Sequence, residues 1–291
     1  MKLTIHAPAK VNWFLEITGR RPDGFHEVVT VMQAVSLYDT ITVEDRPAPG
    51  TALRCNVDLG RLEENLVYRA AELLRTRHAP NRGAQIALTK QIPHGAGLGG
   101  GSSDASNTVV ALNRLWGLNL GNEALRALAA ELGSDCAFFV EGGVALCTGR
   151  GEQVKQWPDV TGIDLVLLYP EAVCPTKDVY ADLRVHLTAF VKDCYLVHGY
   201  EGVGDRCQLA SLVTNRLQES ALRVSNGMRA AWLQTSAESG VLVRFVSGSG
   251  STIAFLMESE DAAAALARSL QSRGLGRAFP VKTVGKGARW G

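Results

Sequence analysis

A run of eleven residues, Pro93-His94-Gly95-Ala96-Gly97-Leu98-Gly99-Gly100-Gly101-Ser102-Ser103, sets five glycines directly ahead of a segment with helical periodicity. Glycine reaches positive φ and has no side chain in the way, so such a loop brings backbone N–H groups close to phosphate oxygens. The helix start behind it adds a favourable dipole for an anion, and Ser102 and Ser103 add hydroxyl donors. A Walker loop is excluded, because it needs Lys and then Ser or Thr after the last glycine, and here Ser102 follows Gly101. Gly95, Gly97 and Gly100 satisfy GxGxxG, but a dinucleotide fold then needs a second strand with an acidic end, and two helical patterns follow instead. A plain glycine-rich turn stays open at this point.

Other chemistry-bearing residues are scattered. Lys10 and Asn12 stand two apart in an alternating stretch, so in a strand both side chains face one side. Asp135 follows Gly133, where a helical pattern ends. Taken alone, Asp135 reads as a capping or surface carboxylate, Lys10 as a solvated strand lysine, and Phe25-His26 as packing.

The elements that must position these groups read as a succession of strands and helices. Leu3–Thr18 and Val28–Val43 suit strands, separated by the turn-rich Gly19–Gly24. Asn65 opens a helical run, Ala84–Ile92 reads as a strand, and Ser102–Leu115 as a helix whose serines and aspartate supply the N-cap. Asn122–Leu132 is a further helix, and Cys136–Leu146 is an apolar run broken at Gly142-Gly143. The second half offers a strand at Asp164–Tyr169, helices within Leu209–Gln234 and a hairpin over Val241–Met257. A helix at Ala262–Arg273 and a strand at Phe279–Val284 follow. The class is α+β, with a soft boundary in the polar stretch Arg150–Pro158 that gives domains 1–157 and 158–291.

At 291 residues, with 46% hydrophobic and 20% charged residues, the chain has the balance of a soluble globular protein. Its 30 basic and 29 acidic residues create no net field to draw nucleic acid or a membrane surface, so neither is expected as a partner. The six cysteines form no CxxC pair and no zinc spacing, and they read as reduced core thiols. The first residues alternate in polarity and lack a signal-peptide run, so a cytoplasmic location is expected.

The pattern Pro-x-Gly-x-Gly-Leu-Gly-Gly-Gly-Ser-Ser-Asp-Ala resembles the ATP loop of the GHMP kinases. Its triple glycine with SSDA resembles the branch that phosphorylates the 2-hydroxyl of 4-diphosphocytidyl-2-C-methyl-D-erythritol in non-mevalonate isoprenoid precursor biosynthesis. Three further segments resemble that family in the same order. They are APAKVNWFLEITGRRPDGFHEVVTVMQAVSLYD from Ala7, LGSDCAFFVEGG from Leu132 and SGSGST from Ser247. The resemblance implies the GHMP two-domain fold, with a ribosomal protein S5 domain 2-like N-terminal domain and a ferredoxin-like C-terminal domain.

It also implies an ATP-dependent small-molecule kinase in which Asp135 is the general base and Lys10 its cationic partner. ATP would lie on Pro93–Ser103 with Asn65 and Lys90 near the adenosine. Asn12, Phe25, His26, Pro175 and Thr176 would hold the substrate, Phe25 and His26 at its cytosine. Mg²⁺ would arrive with ATP, with Ser103 as a conceivable contact and no secure protein ligand, and the protein would be a monomer or weak homodimer. The chain departs from the family's pattern at Trp13, His94, Ala137 and Arg216. The alternatives are a GHMP kinase acting on another alcohol, or a catalytically silent nucleotide-binding module on the same fold.

Overall fold

A computed structural model describes residues 1–58, 60–183, 203–287 and 289–290. The frame of the site is a long antiparallel hairpin of β1 (Lys2–Arg20) and β2 (His26–Arg46), in register from Lys2↔Glu44 to Arg20↔His26. The hairpin has irregularities between Pro8 and Ala9, Asn12 and Phe14, and Ile17 and Gly19, so two of its bends flank Lys10 and Asn12. β3 (Gly50–Cys55) was not anticipated. It is short and half-buried except at the exposed Arg54, and it lies parallel to β4 (Gly83–Thr89) at the edge of the sheet.

Between them runs α1 (Leu66–His78), which buries Val67, Ala70, Ala71 and Leu74 at helical spacing. Asn65 caps this helix by accepting from Val67 N at 2.9 Å. α2 (Gly100–Leu115) and α3 (Asn122–Leu132) pack on the same face and share a core with Ile41, Val43 and Ile86 of the sheet. The short α4 (Cys136–Phe139) then leads into β5 (Val144–Thr148) and β6 (Gln153–Gln156). These extend the first sheet beside β2.

β7 (Asp164–Tyr169) opens the second sheet. After it come α5 (Thr176–Ala181), α6 (Arg206–Leu212), the two-residue β8 (Thr214–Asn215), α7 (Gln218–Val224) and α8 (Asn226–Gln234). β9 (Val241–Val246) and β10 (Ile253–Met257) form the anticipated hairpin, and α9 (Glu260–Ser272) and β11 (Arg277–Lys282) follow. The second sheet is antiparallel in the order β11-β7-β10-β9. The two halves are not independent, since β8 and β12 (Arg289–Trp290) both pair with β1. One apolar cluster also joins Val11, Phe14 and Val31 to Leu165, Phe245 and Leu256.

Three expectations need correction. The strand expected over Ala84–Ile92 stops at Thr89, because the N–H groups of Gln91 and Ile92 turn instead to the buried carboxylate of Asp39. The helix expected from Ser102 begins at Gly100, and its cap is Gly99 at φ 69° with no side-chain hydrogen bond, so the serines cap nothing. Among the cysteines, Cys136, Cys147 and Cys174 are buried thiols, but Cys55 is half-buried and Cys207 exposed; Cys194 lies outside the described residues. No helix among the described residues is long and apolar enough to cross a membrane.

Candidate active site

A cavity of about 1200 Å³ lies where β1, β2, the glycine loop, α5 and the turn between β9 and β10 converge. Gly95, Gly97 and Gly99 of the loop all sit at positive φ, between 65° and 75°. The sharpest demand falls on Gly97, where a Cβ would stand 2.2 Å from the carbonyl oxygen of Ser247. Ser247 Oγ donates to Gly97 O at 3.0 Å and Thr252 N donates to Ala96 O at 3.1 Å, so the second glycine-rich turn clamps the first. Because α2 begins at Gly100, the N–H groups of Gly100, Gly101 and Ser102 have no acceptor within the helix and form an anion cradle at its positive end.

Beside the cradle stand Lys10 and Asp135. Lys10 is buried, and its Nζ donates to Asn12 Oδ1 at 2.6 Å and lies 3.7 Å from Asp135 Oδ2. Asn12 is held in turn by donating to Thr30 Oγ1 at 2.8 Å, which settles the shared face expected from strand parity. Burial drives the Lys10 pKa below the ordinary lysine value, and the Asp135 carboxylate offsets part of that fall. Asp135 stands at the head of α4 but makes no capping bond, and its side chain is 32% exposed at the cavity wall. It is therefore available for chemistry.

Behind the cradle is a buried ion triad. Lys90 Nζ donates to Asp39 and, at 2.6 Å, to Asp104 Oδ2; a Cβ on Gly100 would lie 3.2 Å from that Nζ. Burial pushes the Asp104 pKa up to about 8 against the opposing pull of Lys90, while for Lys90 the two carboxylates outweigh burial and raise it. Asp39 also accepts from Gln91 N and Ile92 N at 2.5 and 2.9 Å, so the triad anchors the entrance to the glycine loop.

At the other end the cavity is lined by aromatic faces. Phe25 is 49% exposed, with the Arg150 guanidinium 4.9 Å from its ring centre. The half-buried His26 packs at 4.9 Å against the ring of Tyr180. Burial, and then the charge of Arg20, hold the His26 pKa below its ordinary value, which favours the neutral ring with one donor and one acceptor. Thr176 Oγ1 hydrogen-bonds Ser249 Oγ at 2.8 Å, tying α5 to the second glycine turn.

Residues 65–143 match the GHMP kinases N terminal domain. The chain is 38% identical over 254 residues to the 4-diphosphocytidyl-2-C-methyl-D-erythritol kinase of Pelotomaculum thermopropionicum, covering 87% of this chain and 88% of that one. With the kinase of the same name from Nocardia farcinica it is 38% identical over 283 residues, covering 94% and 91%. The chain belongs to the 4-diphosphocytidyl-2-C-methyl-D-erythritol kinase family. A crystal structure of 4-(cytidine 5'-diphospho)-2C-methyl-D-erythritol kinase superposes with a TM-score of 0.76 at 33% identity, over 97% of this chain and 99% of that one. The homoserine kinase of Cytophaga hutchinsonii, at 20% identity and TM-score 0.75 over 99% and 97%, shares the fold.

Set within this kinase family, most of the expected site residues come together on one cavity. Lys10, Asn12, Phe25, His26, Asn65, Lys90, Asp135 and Thr176 line it, as do Pro93 to Gly97 and Gly99 to Ser102. Three expected residues do not. Leu98 is buried in the core and offers only its carbonyl, to Lys10 N at 3.0 Å. Ser103 is fully buried, with Asn107 Nδ2 on its hydroxyl, and Pro175 caps α5 away from the lining. Of the departures from the family's pattern, Trp13 packs on Phe245 in the core, whereas His94 is exposed on the lining. Arg216 has a plain structural use, a two-pronged ion pair with Glu16 at 2.6 and 2.8 Å.

Sequence reading missed Tyr180, Arg150 and the partners of Lys90. Tyr180 was findable, since it stands one helical turn beyond Thr176 and so shares its face. The triad was not, because Asp39, Lys90 and Asp104 come from β2, the loop after β4 and α2.

Proposed function

We propose that the protein transfers the γ-phosphoryl group of ATP to the 2-hydroxyl of 4-diphosphocytidyl-2-C-methyl-D-erythritol. The products are ADP and the 2-phosphate. The observation that carries the reading is the pair of Lys10 Nζ and Asp135 Oδ2, 3.7 Å apart, beside a backbone anion cradle and within one cavity with an aromatic-lined end. In this scheme the triphosphate lies on the N–H groups of Gly100 to Ser102, and its adenosine runs toward Asn65 and Leu66. The cytosine lies against Phe25 and Tyr180, with His26 on its polar edge. A family substrate with a charged diphosphate next to its base accords with Arg20 and Arg150 at that end.

Transfer needs alignment more than covalent participation by the protein. Asp135 accepts the proton of the attacking hydroxyl as the new O–P bond forms and the bond to the ADP oxygen breaks. Lys10, held by Asn12, faces the Asp135 carboxylate and offsets the charge that develops on the transferred group. Among the described residues no group of three or more His, Cys, Asp and Glu could hold a metal, and in this scheme Mg²⁺ would enter on the nucleotide. Ser102, which lines the cavity, would meet it in place of the buried Ser103. Bound in this way, Mg²⁺ supplies charge neutralisation of the phosphates. We take 1–157 and 158–291 as the two domains, and a cytoplasmic monomer or weak homodimer as the working form.

The deciding measurement is ADP release and ³¹P spectroscopy of the product with Mg-ATP and a panel of alcohols. Turnover of 4-diphosphocytidyl-2-C-methyl-D-erythritol is expected. Turnover of homoserine or mevalonate with none of this substrate would defeat the proposal.

A further inference from the structure

β8 is two residues long, yet it stands beside the strand that carries Lys10. Thr214 and Asn215 pair in parallel with Phe14 and Leu15 of β1. The Asn215 amide is used on both sides. Its Nδ2 donates to the carbonyls of Val246 and Gly248, each at 2.7 Å, and its Oδ1 accepts from Leu217 N at 2.9 Å. An asparagine amide has two N–H donors, so both are committed to the carbonyls that flank Ser247.

The turn gripped in this way faces the catalytic strand. A Cβ on Gly248 would lie 3.1 Å from Lys10 Nζ and 3.5 Å from Asn12 Oδ1. Ser247, between the two gripped carbonyls, is the residue whose Oγ donates to Gly97 O. Asn215 therefore joins β1, the second glycine turn and the head of α7 at one point.

We propose that Asn215 is a positioning residue for phosphoryl transfer: by holding the carbonyls on either side of Ser247 it fixes Gly248 against Lys10 and so sets where the ammonium meets Asp135. This rests on the catalytic reading of Lys10 and Asp135 given above. The residue type follows from the geometry. An aspartate would keep the acceptor for Leu217 N but set carboxylate oxygen against two carbonyl oxygens, and an aliphatic residue would leave both carbonyls unpaired.

The test compares Asn215→Asp with Arg216→Ala, which removes the neighbouring ion pair to Glu16 and leaves the three Asn215 bonds in place. A displacement of the turn by a fraction of an ångström to one ångström is expected to lower kcat per folded molecule about 10- to 100-fold in N215D. KM for ATP should move much less, and R216A should retain the parent kcat. The Lys10 titration, followed by NMR of labelled lysine, should shift in N215D and stay in place in R216A.

A parent-like kcat in N215D overturns the proposal, as does a loss that only tracks the unfolded fraction or is matched by R216A. Should N215D fail to fold, Gly248→Ala reads the same turn directly, since its Cβ would press on Lys10. Unchanged kcat in folded G248A would equally overturn it. A parent protein with no turnover counts against the kinase reading. The Lys10 titration then decides the role of Asn215 separately, an unshifted Lys10 in N215D refuting it.

Discussion

The two ends of the cavity are built on opposite principles. At the end proposed for the nucleotide, recognition would fall to backbone N–H groups, and the backbone is fixed from three sides: the Asp39–Lys90–Asp104 triad, the Ser247–Gly97 clamp and the start of α2. At the aromatic end, recognition would fall to side-chain faces, and Phe25 is half exposed. A backbone cradle works only if the chain is placed within tenths of an ångström, because a peptide group cannot be exchanged for a longer one. An aromatic face tolerates substitution better, because it offers a whole ring surface and not one placed atom.

The largest expected effect lies at the junction of the two ends. Asp135→Asn should lower kcat by about 10²- to 10⁴-fold in a protein that still folds, since its carboxylate does not cap α4 and is 32% exposed. Nearly unchanged steady-state turnover would remove Asp135 from the proton transfer. The same variant should lower the Lys10 pKa further, moving the alkaline limb of any residual activity to lower pH.

Next, the rigidity of the nucleotide end is open to direct attack. Lys90→Met leaves two carboxylates buried without their cation and should destabilise the fold by about 3–5 kcal/mol, read by urea unfolding. A loss below about 1 kcal/mol, the level of a surface pair, would erase the contrast between the ends.

The triad also carries a pH signature. The folded-state pKa of Asp104 is raised, so the folded protein keeps a proton that the unfolded chain gives up. The stability this contributes is present at low pH and is lost as pH rises from the ordinary aspartate value toward about 8. Asp104→Asn should flatten that part of the melting profile, and identical slopes in the two proteins would count against a proton on Asp104.

The smallest effects belong to the aromatic end. Phe25→Leu should weaken the substrate by about 0.5–1.5 kcal/mol in KM and leave ATP untouched. Because the His26 pKa is lowered, substrate KM should stay flat from neutral pH down to the ordinary histidine value of about 6.5 and rise only below it. An earlier rise would place a charged imidazole at that edge.

What the sequence made legible follows the same division. The glycine run, its position before a helix and the shared face of Lys10 and Asn12 are local properties, and all three appear in the structure. Where reading failed, the determinant lay elsewhere in the chain. Asp39 ends β4 at Thr89 by drawing off the next N–H groups, and nothing in residues 84–92 reports this. Ser103 looked like Ser102 in sequence, but their positions around α2 put one on the cavity and the other in the core. The edge strand β3 was missed because half-buried positions on both faces leave no clean alternation.

The pairing of β1 with β8 and β12 has a consequence for how the protein is made. Ile5 and His6 meet Trp290 and Arg289, and Phe14 and Leu15 meet Thr214 and Asn215, so the strand that carries Lys10 waits for partners synthesised far later. On the ribosome its outer edge stays unpaired while most of the chain emerges, an invitation to wrong strand partners. Completion of β1 is therefore a late event, and these long-range closures favour slow folding after synthesis.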